Sequence, residues 1–224
     1  MKNVREYGNT PYRYLVLHGG PGAPGCAAGL CRGLSEKAGV LEHLQKSHNI
    51  EGLFDEIKSI IEEYSLNKIV LLGHSFGAWL ALLFAEKYPQ FVSKVVIIGC
   101  GPLETKYLPE LIQAREKRNG DNYCPLPNSS NDMLYFDEEQ HKALMKEIGE
   151  IRENGELLER VLKITCPVIA FHGTYDPHPV RGVSEPLESK LSNFHMITME
   201  QCGHDPWKEV YARDEFFEKF FEIV

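Results

Sequence analysis

The chain has 224 residues, of which 43% are hydrophobic and 25% are charged, and its formal net charge at pH 7 is −8. A chain of this length can fold as one domain around a sizeable core. Lys and Arg residues are scattered among acidic residues instead of forming a basic stripe, which argues against a nucleic-acid-binding surface. The composition therefore predicts a single globular domain, residues 1–224, that does not bind nucleic acid.

Membrane insertion and a metal-binding cysteine cluster are not expected either. No stretch approaches 18 consecutive apolar residues, and the first residues lack the apolar core of a signal peptide. A cytoplasmic location without membrane contact is the default expectation. The six cysteines are spread along the chain without a C-x-x-C pair, which favours reduced thiols over zinc ligands or disulfides.

Strand-like runs alternate with helix-like runs, a pattern typical of βαβ units and a mostly parallel sheet. The predicted strands are Tyr12–Leu17, Val40–Leu44, Ile69–Leu72, Lys94–Ile98, Pro167–Phe171 and Phe194–Thr198. The predicted helices beside them are Gly52–Tyr64, Phe76–Tyr88 and Asp205–Ile223. We therefore expect an α/β fold with about six strands flanked by helices.

Residues 102–162 interrupt this alternation. They contain two helical segments, Leu103–Asn119 and Met133–Leu162, which are joined by a turn-rich linker. In open α/β folds, a segment inserted after the carboxyl end of a strand lies over the ligand site. The pattern predicts a small helical cap insertion.

The most informative motif is Gly-His-Ser-Phe-Gly at 73–77, between a strand pattern and a helix pattern. A sharp turn from strand to helix can expose a serine hydroxyl at the helix N-terminus. At such a turn, a side chain at Gly73 or Gly77 would collide with neighbouring backbone. Ser75 is therefore the candidate nucleophile.

A serine nucleophile needs a base, and the base needs an acid to orient it. Among nine histidines, His204 lies in the loop between the last strand and the last helix, at a strand end like Ser75. Asp176 follows the strand before it and is the candidate acid, with Glu104 as the alternative. The chain order Ser75, Asp176, His204 is typical of one family of serine enzymes.

A tetrahedral oxyanion needs two hydrogen-bond donors. The backbone N–H of Phe76, directly after the nucleophile, is the first candidate. The second is the N–H of Gly20, with Gly19 as the alternative, in the Gly- and Pro-rich loop that follows the first strand.

The chain lacks a motif of the G-x-x-x-x-G-K-[ST] type, which argues against a phosphate-binding role for the loop at 18–25. No cofactor is expected, because a serine nucleophile with a base and an orienting acid needs none. A metal cluster of His172, Asp176, His178 and His204 is an alternative interpretation, but its spacing matches no metal-binding motif. A triad accounts for Asp176 and His204 without an ion, so no metal is predicted.

These motifs together resemble the α/β-hydrolase superfamily, from Leu15 to Val224. The loop His-Gly-Gly-Pro-Gly at 18–22 looks like that of the proline iminopeptidase branch, 73–77 looks like the nucleophile elbow, and Gly203-His204 like the histidine loop. The resemblance implies Ser75, Asp176 and His204 as catalytic residues, with Gly20 and Phe76 as oxyanion donors.

The sequence also departs from that branch. The antiparallel strands that usually open the fold are missing or reduced, and residues 40–47 lack the branch's Asp-x-Arg-Gly-x-Gly-x-Ser stretch. The insertion at 102–162 is also short for that branch, whose cap supplies acidic residues that hold the free amine of the substrate.

The leading hypothesis is a serine hydrolase that cleaves a small ester or amide through an acyl-enzyme. One alternative is an aminopeptidase similar to proline iminopeptidases, acting on short peptides. Another, of a different class, is a non-catalytic protein that binds a ligand on the same fold. The sequence leaves the substrate and the oligomeric state open.

Overall fold

The computed structural model describes residues 3–117 and 132–224. Within these residues a seven-stranded sheet has the order β1-β3-β2-β4-β5-β6-β7. The strands are β1 (Val4–Tyr7), β2 (Tyr12–Leu17), β3 (Gly39–His43), β4 (Ile69–His74), β5 (Val92–Ile98), β6 (Val168–Gly173) and β7 (Phe194–Met199). Every pair is parallel except β1 with β3. The expected mostly parallel α/β sheet is confirmed.

The sheet has one strand more than the six predicted, because the sequence pattern of β1 is weak. β1 is a four-residue edge strand in which only Val4 is buried. Short edge strands with charged side chains carry little hydrophobic alternation, although they protect a sheet edge from pairing with other chains. Among the described residues, β1 is the strand that pairs antiparallel with its neighbour.

Eight α-helices accompany the sheet in the described part of the chain. They are α1 (Ala28–Leu34), α2 (Ile50–Glu63), α3 (Phe76–Lys87), α4 (Leu108–Lys117), α5 (Glu138–Glu153), α6 (Glu156–Val161), α7 (Arg181–Glu188) and α8 (Arg213–Ile223). Helices α4, α5 and α6 lie in the segment predicted as an insertion, between β5 and β6. The turn-rich linker predicted there, and the end of its first helix, fall outside the described residues.

Two helices, α1 and α7, were not predicted, and both contain helix-breaking residues. Pro186 lies inside α7. Gly33 lies in α1, where an added Cβ would collide with the ring of Phe217. Glycine lets α1 and α8 approach closely here, which outweighs its low helix propensity.

The predicted final helix, Asp205–Ile223, is wrong in its first half. A 3₁₀ turn spans Pro206–Lys208, and the chain is extended at Glu209 (φ −83°, ψ 129°) before α8 begins at Arg213. The buried Glu209 carboxylate accepts a hydrogen bond from the N–H of Gly203 over 2.8 Å. This tertiary contact overrides the helical pattern.

The hydrophobic core has two layers, one on each face of the sheet. Along β2, Leu15 and Leu17 pack with the residues of α2 and α3, while Tyr14 and Val16 pack with those of α1 and α8. This is the two-residue alternation of a strand that is buried on both faces. The helices on both sides fix the sheet, and with it the loops at its edge.

Parallel pairing brings the carboxyl ends of neighbouring strands to one edge. Leu17 pairs with Gly73 between β2 and β4, and Gly173 pairs with Met199 between β6 and β7. The loops that carry Gly20, Ser75, Asp176 and His204 therefore leave the sheet at the same edge.

Among the described residues, no helix is long and apolar enough to cross a membrane. The five cysteines in this part of the chain are free thiols, as the sequence predicts. Cys124 lies outside the described residues.

Candidate active site

Ser75 lies in a strained turn between β4 and α3. Its backbone has φ 55° and ψ −116°, a conformation that residues other than glycine rarely adopt. The N–H of Ser75 donates to the carbonyl of Ile98 over 2.9 Å. An added Cβ at Gly73 would collide with the Gly77 carbonyl, and one at Gly77 with the Leu17 carbonyl. The turn requires glycine at both positions, for the reason that the sequence suggests.

Ser75 and His204 line the same cavity, whose volume is about 520 Å³. Gly20 and Phe76 line it as well. A cavity of this size suits a small organic ligand. The structure thus brings four of the five predicted site residues to one cavity, and the fifth, Asp176, lies behind His204.

Asp176 is buried and hydrogen-bonded to two imidazoles. Nδ1 of His204 lies 2.7 Å from Oδ2, and Nδ1 of His178 lies 2.8 Å from Oδ1, which also accepts from the backbone N–H of His178. Burial acts to raise the pKa of Asp176, but the two imidazole partners outweigh it and hold the pKa well below its usual range. The carboxylate is ionised at neutral pH.

An ionised carboxylate can only accept hydrogen bonds. Both imidazoles therefore carry a proton on Nδ1, and the basic nitrogen of His204 is Nε2. This is the tautomer that a general base next to a serine requires. The alternative acid, Glu104, instead forms an ion pair with Lys106, with N and O 2.9 Å apart.

Sequence reasoning assigned His178 only to a metal alternative and missed its contact with Asp176. The sequence feature that could have predicted this contact is the Asp-Pro-His spacing at 176–178. An Asp side chain readily accepts a hydrogen bond from the backbone N–H two residues ahead. His178 also lines the cavity. Burial lowers its pKa, with Asp176 acting against that, so the ring is neutral at pH 7.

His74 also has a role that the sequence did not predict. Its ring lies 4.7 Å from the ring of His204 and 4.6 Å from that of Trp207, and its Nε2 lies 3.2 Å from the His204 carbonyl. Burial lowers the pKa of His74 to about 3. A neutral His74 supports the loop that carries His204.

The two predicted oxyanion donors, Phe76 and Gly20, line the same cavity as Ser75. Phe76 begins α3, and the first N–H groups of a helix have no partner within the helix. Gly20 has φ 48°, in the left-handed region that favours glycine. Gly19, the alternative, packs so closely that an added Cβ would lie 2.7 Å from the Ser75 Cβ.

The ligand atoms of Asp176, His178 and His204 lie within 4.8 Å of one another. Two of the three pairs are the hydrogen bonds described above, in which ring N–H groups of His178 and His204 donate to the two carboxylate oxygens of Asp176. His172, the fourth member of the metal alternative, has its Nε2 2.8 Å from the His178 carbonyl. Hydrogen bonding accounts for all four residues.

Residues of helices α4 and α5 also line the cavity. Leu108, Leu111 and Met145 supply apolar surface, next to Trp79 of α3. Among the described residues of the cavity wall, the arginines are Arg115 of α4 and Arg152 of α5, and no Asp or Glu lines it.

The sequence profile of the alpha/beta hydrolase family matches residues 18–219. The chain therefore belongs to the alpha/beta hydrolase family, whose nucleophile elbow and strand-end loops agree with the geometry above.

Among curated proteins, a proline iminopeptidase of Saccharolobus solfataricus is 26% identical over 216 residues, which cover 79% of this chain and 67% of that protein. Epoxide hydrolase 4 of Mus musculus is 35% identical over 55 residues, which cover 25% of this chain and 15% of that protein. The second match spans a small part of its relative.

Solved structures share the fold over nearly the whole chain. The monoacylglycerol lipase of Paleococcus ferrophilus has a TM-score of 0.72 at 19% identity, covering 98% of this chain and 96% of that chain. A thermophilic esterase of Thermogutta terrifontis has a TM-score of 0.70 at 16% identity, covering 98% and 91%. These relatives are hydrolases, and at this identity the similarity establishes the fold alone.

Proposed function

We propose that the protein is a serine hydrolase that cleaves a small ester or amide through an acyl-enzyme. The observation that carries the proposal is the 2.7 Å contact between His204 Nδ1 and Asp176 Oδ2, beside a cavity that both His204 and Ser75 line. That contact leaves Nε2 of His204 as the base. The helices of residues 102–162 act as the cap that shapes the substrate pocket.

In the proposed mechanism, Ser75 Oγ attacks the acyl carbon while Nε2 of His204 takes its proton. Asp176 stabilises the imidazolium that forms. The N–H groups of Phe76 and Gly20 hold the oxyanion, and removing one such donor typically costs about 100- to 1,000-fold in rate. His204 then protonates the leaving group. Water next attacks the acyl-enzyme while Nε2 of His204 takes its proton, and the acid leaves as Ser75 Oγ is protonated again.

A fluorophosphonate tests the nucleophile directly. We expect one adduct by intact mass, located on Ser75 by peptide mapping and absent from Ser75→Ala. Ser189→Ala is the matched control, because Ser189 is exposed at the end of α7, and this variant should label like the wild type. Labelling that persists in Ser75→Ala would refute the nucleophile.

The aminopeptidase alternative rests on the loop at 18–22 and on the iminopeptidase relative. A pocket for a free amine needs acidic side chains, and the cavity-lining residues of the described chain include arginines but no Asp or Glu. Equal cleavage of proline amide and N-acetylproline amide would argue against this alternative.

A folded protein that no activated acyl or phosphonyl probe labels would favour the non-catalytic alternative.

A further inference from the structure

Two arginines line the candidate substrate cavity in a protein whose net charge is −8. Arg115 extends from α4, and Arg152 extends from the last turn of α5. Among the described residues that form the cavity wall, none is an Asp or a Glu. A small site lined by one sign of charge concentrates ligands of the opposite sign.

Arg152 is half-buried, and its polar atoms are not all satisfied. Its guanidinium carbon lies 5.4 Å from the centre of the Trp79 ring, and its Nε is buried without a hydrogen-bond partner in the described chain. Burial lowers the pKa of Arg152, yet an arginine keeps its proton in proteins. A bound anion that accepts a hydrogen bond from this guanidinium offsets part of its desolvation, because a buried polar atom without a partner costs free energy.

Arg115 is connected to the catalytic end of the cavity through His178. The Nδ1–H of His178 points at Asp176, so its Nε2 is the acceptor, and this atom lies 3.5 Å from Nη2 of Arg115. The chain of contacts from Asp176 to Arg115 gives the guanidinium a defined place relative to His204, which shares the same carboxylate.

We propose that Arg115 and Arg152 bind a carboxylate of the substrate, so that the substrate is an ester or amide that also carries a free carboxylate group. A planar guanidinium matches a carboxylate through two parallel hydrogen bonds, which are stronger than bonds between neutral groups. The inference rests on the proposed hydrolase function, since it identifies the substrate class of the same site.

Two substrate pairs test the inference. The first pair is para-acetoxybenzoate, with its free carboxylate on the leaving group, and its neutral methyl ester. The second pair is mono-para-nitrophenyl adipate, with its free carboxylate on the acyl group, and its neutral methyl ester. In at least one pair, we expect the wild type to have a kcat/KM about tenfold or more higher for the free acid. Arg115→Gln and Arg152→Gln should each lower that acid-to-ester ratio about tenfold.

The ratio within each variant is the readout, because a folding defect lowers both rates together. Arg13→Gln is the matched control, because Arg13 is exposed on β2 and donates a hydrogen bond to the carbonyl of Val224. This variant removes one positive charge outside the residues that line the cavity. The ratio should stay at the wild-type value in this control. A ratio near one in both pairs, or one that neither cavity variant changes, would overturn the inference.

Fluorophosphonate labelling separates the two proposals. Labelling of Ser75 without any preference for the free acids leaves the hydrolase proposal standing and rejects the carboxylate site. Absence of labelling rejects the proposed function and the inference with it. If Ser75 labels but no ester is cleaved, adipate must slow the labelling more than dimethyl adipate does, and equal effects would reject the carboxylate site.

Discussion

His18, which directly follows β2, allows a quantitative test of how burial shifts the pKa of a histidine in this fold. His18 is fully buried, its Nδ1 lies 2.9 Å from the Gly19 carbonyl, and its Nε2 has no hydrogen-bond partner in the described chain. Burial lowers the pKa of His18 to about 4, with nearby His43 lowering it further and Glu56 acting against that. The native protein therefore keeps this ring neutral well below pH 7.

The sign of the effect follows from proton uptake. Below about pH 6.5 the unfolded chain binds a proton at His18 that the native state does not bind until about pH 4, so acid favours unfolding. Each unit of difference contributes about 1.4 kcal/mol. The His18 contribution to stability is fully present above about pH 6.5, and roughly 3 kcal/mol of it is lost between pH 6.5 and about pH 4, of which about 2 kcal/mol is lost by pH 5.

Urea unfolding at about pH 7 and about pH 5 measures this loss. His18→Gln can still donate to the Gly19 carbonyl, and we expect its stability to fall about 2 kcal/mol less than that of the wild type over this range. His195→Gln is the control, because His195 is exposed on β7 and folding leaves its ring in water. This control should keep the wild-type dependence.

The reasoning would be refuted if His18→Gln and the wild type lost the same stability between the two pH values. His74, whose pKa is about 3, should add a dependence of the same sign to both proteins, so it cancels in the comparison.

Two further changes test the site and the turn. Asp176→Asn should lower kcat about 10⁴-fold at pH 7, because its NH2 group replaces one of the two oxygens that accept from His204 and His178 and cannot accept a hydrogen bond. Steady-state kinetics on an ester checks it. Activity within tenfold of the wild type would contradict this. Gly77→Ala should cost about 1–3 kcal/mol in urea unfolding, whereas Gly149→Ala, in open space on α5, should stabilise by about 0.5–1 kcal/mol. Equal effects of the two alanines would argue against the collision.

Much of the sheet could be predicted from the sequence, because strands buried on both faces produce apolar runs that need no knowledge of their partners. β2 matches its predicted bounds, and β4 and β5 contain the predicted strands. The location of Ser75 followed from the two glycines of its turn. Asp176 and His204 were predicted from their place after strands, and the structure joins them by a hydrogen bond. Their catalytic roles remain predictions.

The sequence by itself thus determined what depends on local pattern: the strand runs, the turn at Ser75 and the loops at one edge of a parallel sheet. Tertiary structure alone decided what depends on contacts between distant segments. The edge strand β1 is formed by pairing with β3, and the contact of the Glu209 side chain with the Gly203 N–H accompanies an extended residue, so that α8 begins only at Arg213. Arg115 and Arg152 line one cavity because the fold brings α4 and α5 to it, and no spacing in the chain encodes that arrangement.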